Sequence, residues 1–481
     1  MLSKSSFIRG LKCHKCLWLH FNRPELRNPD LDMSRAISGT AVGELARGYF
    51  PGGELVEFER MRLSETLART QQLIADGATV LYEPAFCFNE LYCRVDILRR
   101  VGDEWEIYEV KSAATGERED YIQDAAYQAY ILRNCGLNVG RVSIMHINSK
   151  YVRNGAIDVH ELFAVTDVTD KANELQDELA TKAAELKGLL LQSEPVMDIG
   201  EHCSGGCDFD QYCWKHIPFP SVFDFSGMRK KKQFQMYYDG IVRMEDVPDE
   251  LLTEKYQLQK LVWVDQSILV DGAAVEKFIA ELDYPRAFMD FETASVAVPL
   301  YDGTCPYQQL PFQFSLHILR QPGGELEHYE YLADGVVNPQ RDFINELLAV
   351  LPVSGHVLVW NQSFEKRILR DISAAFPEYS LQTNLVLARV VDLMKPFKQR
   401  AICHYGFHGS SSIKKVLPAM VPELSYDSLE IADGGAAPNE WLRMVLEPDS
   451  GERNTIRRNL LAYCKMDTLA MVRILDVMSQ L

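Results

Sequence analysis

The sequence predicts an α/β protein made of two strand-and-helix units with a mainly helical connector between them. Three observations carry this reading. Apolar alternation of period two recurs between residues 80 and 110 and again from residue 286. Segments with helical spacing flank both sets. The stretch opened by Pro218 and Pro220 and running to Pro285 has no strand alternation at all. The 481 residues, 47% hydrophobic and 25% charged, suffice for two or three domains with sizeable cores.

In the first unit, residues 1–217, Val80 to Phe88, Tyr92 to Val101 and Trp105 to Val110 read as strands, with Gly102, Asp103 and Glu104 as the turn joining the last two. Ser38 to Tyr49 and Tyr121 to Asn134 read as helices, and Asp170 to Leu191 as a long amphipathic helix that closes the unit. The connector, 218–285, carries the basic run Arg229, Lys230, Lys231, Lys232, which reads as a solvated helix face, with a phosphate-contacting patch as the alternative. In the second unit, 286–481, Ala287 to Phe291, Phe312 to Leu319 and Val357 to Trp360 read as strands and Leu460 to Met478 as the closing helix.

Lys plus Arg sum to 50 against 68 for Asp plus Glu, a net charge of -18, which excludes a globally basic nucleic-acid-coating protein but leaves room for local basic grooves. No run reaches the roughly 18 apolar residues of a membrane helix, and MLSKSSFIRGLKCHKC is polar where a signal peptide has its apolar core. A cytoplasmic protein is expected. Eleven cysteines in so long a chain are too sparse for a disulfide scaffold, and clustered cysteines in a reducing compartment bind metal or do chemistry.

Asp96 sits in RVDIL, and Glu109 and Lys111 in YEVKS. Residues two apart in a strand share a face, so Glu109 and Lys111 project together, and the hairpin turn brings Asp96 alongside. Two carboxylates and an amine so gathered suit metal-assisted phosphodiester hydrolysis: the acids hold a hard divalent cation while the lysine orients or deprotonates water. An exposed charged hairpin would read the same way. Glu44, in GTAVGELA, can add an acidic ligand, and Gln123 and Tyr127 share a helix face one turn apart. Cys203, Cys207 and Cys213 follow the long helix, while Cys13 and Cys16 lie at the opposite end of the unit. Thiolates so placed can bind one soft metal centre that ties the two ends together, either a cubane iron-sulfur cluster or zinc.

This arrangement resembles the RecB-type nucleases of the PD-(D/E)xK superfamily, in particular the CRISPR-associated exonucleases that carry an iron-sulfur cluster. The resemblance covers residues 1 to about 215 and implies a restriction-endonuclease-like fold. It implies Asp96 and Glu109 as metal ligands, Lys111 as the catalytic lysine, and Gln123 and Tyr127 as the downstream QxxxY that meets substrate. It also implies a [4Fe-4S] cluster on Cys13, Cys203, Cys207 and Cys213. Many relatives have histidine where Glu44 stands. Cys16, in CHKC, keeps zinc open as the alternative.

In the second unit RAFMDFETA puts Asp290 and Glu292 on one face at the end of an apolar strand. VLVWNQSFEKRIL delivers Asn361 and Glu365, and LLAYCKMDTLAM puts Tyr463 and Asp467 four apart on one helical face. Four acids from three elements can hold two metals about 3.5 to 4 Å apart, the geometry of in-line phosphoryl displacement. Acids capping a strand, a solvated helix and a core tyrosine are the plain alternatives. Their order and character resemble the motifs of the DnaQ-like, ribonuclease H fold family in its tyrosine-containing DEDDy branch, with Glu365 where aspartate is usual. The resemblance implies metal ligation by Asp290, Glu292, Glu365 and Asp467, with Tyr463 orienting water. Lys414 and Lys415, in GSSSIKKVLP, lie in a loop suited to substrate phosphate or in an ordinary helix start. The two halves in one chain also resemble a bacterial family catalogued as a domain of unknown function.

The expected function is that of a nuclease using Mg²⁺ or Mn²⁺, with 3′–5′ exonuclease character in the second unit. DNA is the expected substrate because RecB-type domains mostly cut DNA, and RNA stays open. A nucleic-acid binding or adaptor protein with a degenerate second unit is the alternative, and Glu365 is the residue that favours it.

Overall fold

The structure, a computed structural model, describes residues 1–28, 34–57, 62–203, 206–426, 429–431 and 435–481, with the backbone alone for 34–38. The chain divides into two units: Met1–His216 with Val296–Tyr307, and Ile217–Ser295 with Gln308–Leu481.

The first unit is built on a six-stranded sheet in the order Glu54–Leu55, Val80–Tyr82, Ile97–Val101, Glu104–Lys111, Val139–Ile147, Phe163–Asp167. Ile97–Val101 and Glu104–Lys111 form the hairpin, with Gly102 at a φ of 63° in the two-residue turn, a conformation that costs glycine nothing. The strands read as Val80 to Phe88 and Tyr92 to Val101 are each interrupted. Glu83 turns left-handed at a φ of 57° just before Pro84, whose missing N–H ends the ladder. The pieces beyond these breaks, Ala85–Phe88 and Leu91–Arg94, leave the main sheet and pair with each other and with Leu2–Ser3. The helix Glu119–Asn134 packs its buried Ala125, Ala126, Tyr127, Ala129, Ile131 and Leu132 into the core formed with the sheet. The long closing helix is two, Thr169–Glu174 and Gln176–Leu190.

The second unit holds a five-stranded sheet in the order Leu326–Leu332, Leu310–Leu319, Arg286–Ala294, His356–Val359, Val390–Asp392. The first three strands are antiparallel and the last three parallel. Leu310–Leu319 is buried along all but its last residue, as befits a strand covered on both faces. The helix Ser450–Met478 starts ten residues before Leu460, because Asp449 caps it by accepting from the Glu452 N–H at 2.8 Å. The segment 218–285 folds with this unit rather than standing between two bodies. It contributes the strand Ile268–Val270, which pairs antiparallel with Ile402–His404. Its basic run opens the helix Lys230–Tyr238, with Lys230, Lys231 and Lys232 exposed. Among the described residues no helix is long and apolar enough to cross a membrane.

Candidate functional site

Ile97 pairs with Tyr108, so the next step along the hairpin sets Asp96 beside Glu109. Asp96 Oδ2 accepts from the Val110 N–H at 2.6 Å, which fixes it on that face. Glu109, 2% exposed, accepts from Lys111 Nζ at 2.7 Å, and Lys111 also donates to Asp124 at 2.6 Å. Two residues absent from the sequence-level reading complete the site. Lys4 Nζ donates to both Glu109 oxygens, at 2.8 and 3.0 Å, and lies 3.8 Å from Asp124. Buried Gln128 donates to Glu109 Oε2 at 2.7 Å.

The helix Glu119–Asn134 therefore presents Asp124 and Gln128, not Gln123 and Tyr127, to Glu109 and Lys111. Gln123 donates to Glu119 at 3.2 Å, and Tyr127, fully buried against Phe7, donates to the Leu2 carbonyl at 2.6 Å. Tyr127 thereby anchors the strand that delivers Lys4. Glu44 is exposed on the helix Ser34–Ala46, and no hydrogen bond or ion pair joins it to Asp96 or Glu109.

All five cysteines at the ends of the first unit are free thiols, and they gather. Cys13, Cys16, Cys203 and Cys207 line one cavity, and Cys13, Cys203 and Cys213 a second. Cys207 and Cys16 stand 3.7 Å apart sulfur to sulfur, Arg9 donates to Cys16 Sγ at 3.3 Å, and Phe209 and Leu19 close the apolar side. Burial comes first in pushing Cys13, Cys203 and Cys213 up, the last to about 11, whereas the hydrogen bond from Cys207 and then Arg9 draw Cys16 down to about 7.

In the second unit, among the described residues, Asp290, Glu292 and Asp467 are the group whose ligand oxygens all lie within 4.8 Å of one another. Glu365 lines the same cavity but stands outside that trio, and its buried Oε2 has no hydrogen-bond partner. Tyr463 lies in the cavity wall, while Tyr426, distant in sequence, donates to Asp467 Oδ1 at 2.6 Å. Lys414 faces the cavity, its ammonium 5.6 Å from the Tyr463 ring centroid, whereas Lys415 points to solvent. Asn361 holds a φ of 75° between Trp360 and the helix Ser363–Ala375 that carries Glu365.

Comparison with known proteins bears on both units. A model of the PD-(D/E)XK nuclease superfamily matches residues 3–214. The first unit is a PD-(D/E)XK nuclease superfamily domain. Residues 287–412, which belong to the second unit except for Val296–Tyr307, match a domain of unknown function, DUF2779. The chain is 26% identical over 230 residues to the uncharacterized protein MG366 homolog of Mycoplasma pneumoniae, covering 44% of this chain and 35% of that protein. It is 25% identical over 240 residues to the uncharacterized protein MG366 of Mycoplasma genitalium, with shares of 46% and 36%. The uncharacterized protein UU173 of Ureaplasma parvum is 23% identical over 236 residues, with shares of 44% and 34%. The chain thus spans about a third of the length of the curated relatives it matches. No solved structure matches it.

The electrostatics around Asp96, Glu109 and Asp124 are those of acids crowded in a poorly hydrated place. Burial, then the neighbouring Glu109, push Asp96 to about 8 and Asp124 to about 6. Burial works against Glu109 as well, yet Lys4 and Lys111 hold it far below the usual carboxylate range. Those two ammoniums offset part of the charge of the three acids. The second unit has less relief: burial, then Asp467, Glu292 and Glu365, drive Asp290 well up, and burial takes Glu365 to about 8 and Asp467 to about 6. Carboxylates this costly to ionise together are what a bound cation stabilises.

Proposed function

We propose that the protein is a nuclease that hydrolyses phosphodiester bonds, with DNA as the expected substrate, at the Asp96, Glu109 and Lys111 site. The observation that carries this is the meeting of buried Glu109, half-buried Asp96 and one lysine on the face of a hairpin in a PD-(D/E)XK domain. PD-(D/E)XK nucleases use divalent metals such as Mg²⁺ or Mn²⁺. The oxygens of Asp96 and Glu109 are hard donors suited to such an ion, and the buried Asp124 Oδ1 has no hydrogen-bond partner. The ion supplies Lewis acidity and a lowered water pKa. Asp96 and Glu109 would hold it. Lys111, tethered between Glu109 and Asp124, orients the attacking water and offsets charge on the phosphate. Gln128 keeps Glu109 in place.

The second unit acts in this reading as a DEDDy-type 3′–5′ exonuclease on a ribonuclease H-like fold, which the mixed five-stranded sheet and the trio of Asp290, Glu292 and Asp467 support. Tyr463 would orient water, Glu365 would offer its unpartnered oxygen to a metal held by the trio, and Lys414 would meet substrate phosphate. The position of Glu365 outside the trio favours the rival reading of this unit as a binding module. The gathered thiols support a staple, as a [4Fe-4S] cluster on Cys13, Cys203, Cys207 and Cys213 or as zinc, with Cys16 a candidate ligand.

The test uses protein purified without oxygen and labelled single- and double-stranded DNA and RNA with Mg²⁺ or Mn²⁺. Endonucleolytic or end-directed cleavage should fall at least a hundredfold in Lys111→Ala combined with Asp290→Ala. Cleavage that survives in this double variant refutes both sites.

A further inference from the structure

A second cavity in the second unit carries a set of groups that the proposed chemistry does not use. It is lined by Lys255 from the helix Glu254–Val264, by Trp263 of the same helix, and by Phe397, Lys398, Arg400 and Phe407. Lys398 lies 3.9 Å from Asp392, but Lys255 and Arg400 make no ion pair among the described residues. Partial burial, then the like charge of Arg400, draw Lys255 below its ordinary value, so the two cations face each other across the cavity. A third group points the same way: the Nε1–H of Trp263 is buried without an acceptor. An unmatched buried donor and two unmatched cations around one cavity fit an oxyanion. The wall behind them is fixed, because buried Gln259 donates to the Asp224 carbonyl at 2.8 Å and accepts from the Ser226 N–H at 3.2 Å.

Its neighbour identifies the anion. Trp360 lines the carboxylate cavity and donates to the Ser411 carbonyl of this one at 3.0 Å, with its ring 5.4 Å from that of Phe397. Lys398 reaches across to Asn361 Oδ1 at 3.4 Å. The two cavities share a wall. We propose that this cavity binds a backbone phosphate of the nucleic-acid strand engaged at Asp290, Glu292 and Asp467, with Lys255, Arg400 and Trp263 Nε1 as its donors. The proposal rests on the exonuclease-like reading of that neighbouring site for its choice of ligand.

Binding of the full-length protein to a fluorescent 12-nucleotide single strand, DNA and RNA in turn, in EDTA and across a salt series, tests it. Lys255→Gln with Arg400→Gln should raise Kd about tenfold and flatten the salt slope by about 1.4, at about 0.7 for each lost phosphate contact on a single strand. Trp263→Phe, which keeps a ring and loses the donor, should raise Kd about threefold with the slope unchanged. Thermal melts check the fold, and Lys255→Gln alone, at an exposed position, stands in if the double variant does not fold. A strand carrying 5-iodouracil should photocrosslink within this cavity. Unchanged Kd and slope in these variants overturn the proposal, as does AMP binding in the cavity that the strand fails to displace, which would mark a free-nucleotide site. If the variants bind normally while Asp290→Ala abolishes trimming, the cavity proposal falls alone. If no metal supports trimming by the wild type but the variants still bind weakly, the exonuclease reading falls and the strand site stands.

Discussion

Lys4→Met removes one of the two ammoniums that allow Glu109 to be buried and ionised, and its effect should invert with metal. Glu109 is 2% exposed and accepts from Lys4 with both oxygens. Breaking a buried ion pair costs about 3–5 kcal/mol. Here Lys111 at 2.7 Å and Gln128 at 2.7 Å remain, and the Lys4 side chain is 24% exposed, so the loss should be about 2 kcal/mol. For a domain of this size that lowers Tm by about 4–8 °C in EDTA. A divalent cation between Asp96 and Glu109 supplies the charge that Lys4 supplied, so Mn²⁺ should close most of the deficit and raise the variant's Tm more than the wild type's. Calorimetry of both proteins with EDTA and with Mn²⁺ reads this directly. Equal melting in EDTA, or a deficit of the same size in both conditions, would refute the view that Lys4 and the metal serve the same carboxylate.

Arg400 sits left-handed at a φ of 66° just past the helix Lys395–Lys398, a position where glycine is usual; Arg400→Gly should stabilise the protein by about 0.5–1 kcal/mol in thermal melts while weakening strand binding. The raised acids of the second unit set a pH dependence. Glu365 at about 8 and Asp467 at about 6 both lie above their unfolded values near 4, so their neutral forms stabilise the fold fully below about pH 4, and that stability is lost as pH rises through 6 and 8. Without metal, this unit should lose about 3 kcal/mol between pH 5.5 and 8, and Mn²⁺ should stabilise it more at pH 8; a flat profile in calorimetry counts against the buried acids. Tyr426→Phe removes the 2.6 Å donor to Asp467 and should weaken Mn²⁺ binding at the trio about three- to tenfold by isothermal titration. Cys207→Ser should strip the iron or zinc found by elemental analysis and destabilise the first unit, while Cys135→Ser, at an exposed cysteine, should leave metal content unchanged.

The parts of the site that follow from local pattern were legible in the sequence, and those that depend on where two remote elements meet were not. Asp96, Glu109 and Lys111 come together because strand alternation and a Gly-Asp turn fix their register, and both signals lie within sixteen residues of sequence. Asp290 with Glu292, and Tyr463 with Asp467, obey the periods of strand and helix in the same way. The helix Glu119–Asn134 shows where this stops. Gln123 with Tyr127 and Asp124 with Gln128 are equally good i, i+4 pairs, and only the rotation of the helix against the sheet decides which pair meets Glu109. A signal existed: Asp124 and Gln128 are polar residues among Ala125, Ala126, Ala129 and Leu132 on a helix with a buried face, and a polar pair placed there needs partners. Lys4 offered none, because it reaches Glu109 through the pairing of Leu2 with Leu91 and the Tyr127 bond to the Leu2 carbonyl, contacts that no local period encodes. The same holds for Trp263 and Arg400, which line one cavity only because 218–285 folds with the second unit. Charge balance was the one available clue: a buried cluster of Asp96, Glu109 and Asp124 with a single lysine is short of positive charge, so either a cation binds there or a second lysine must arrive from elsewhere in the chain.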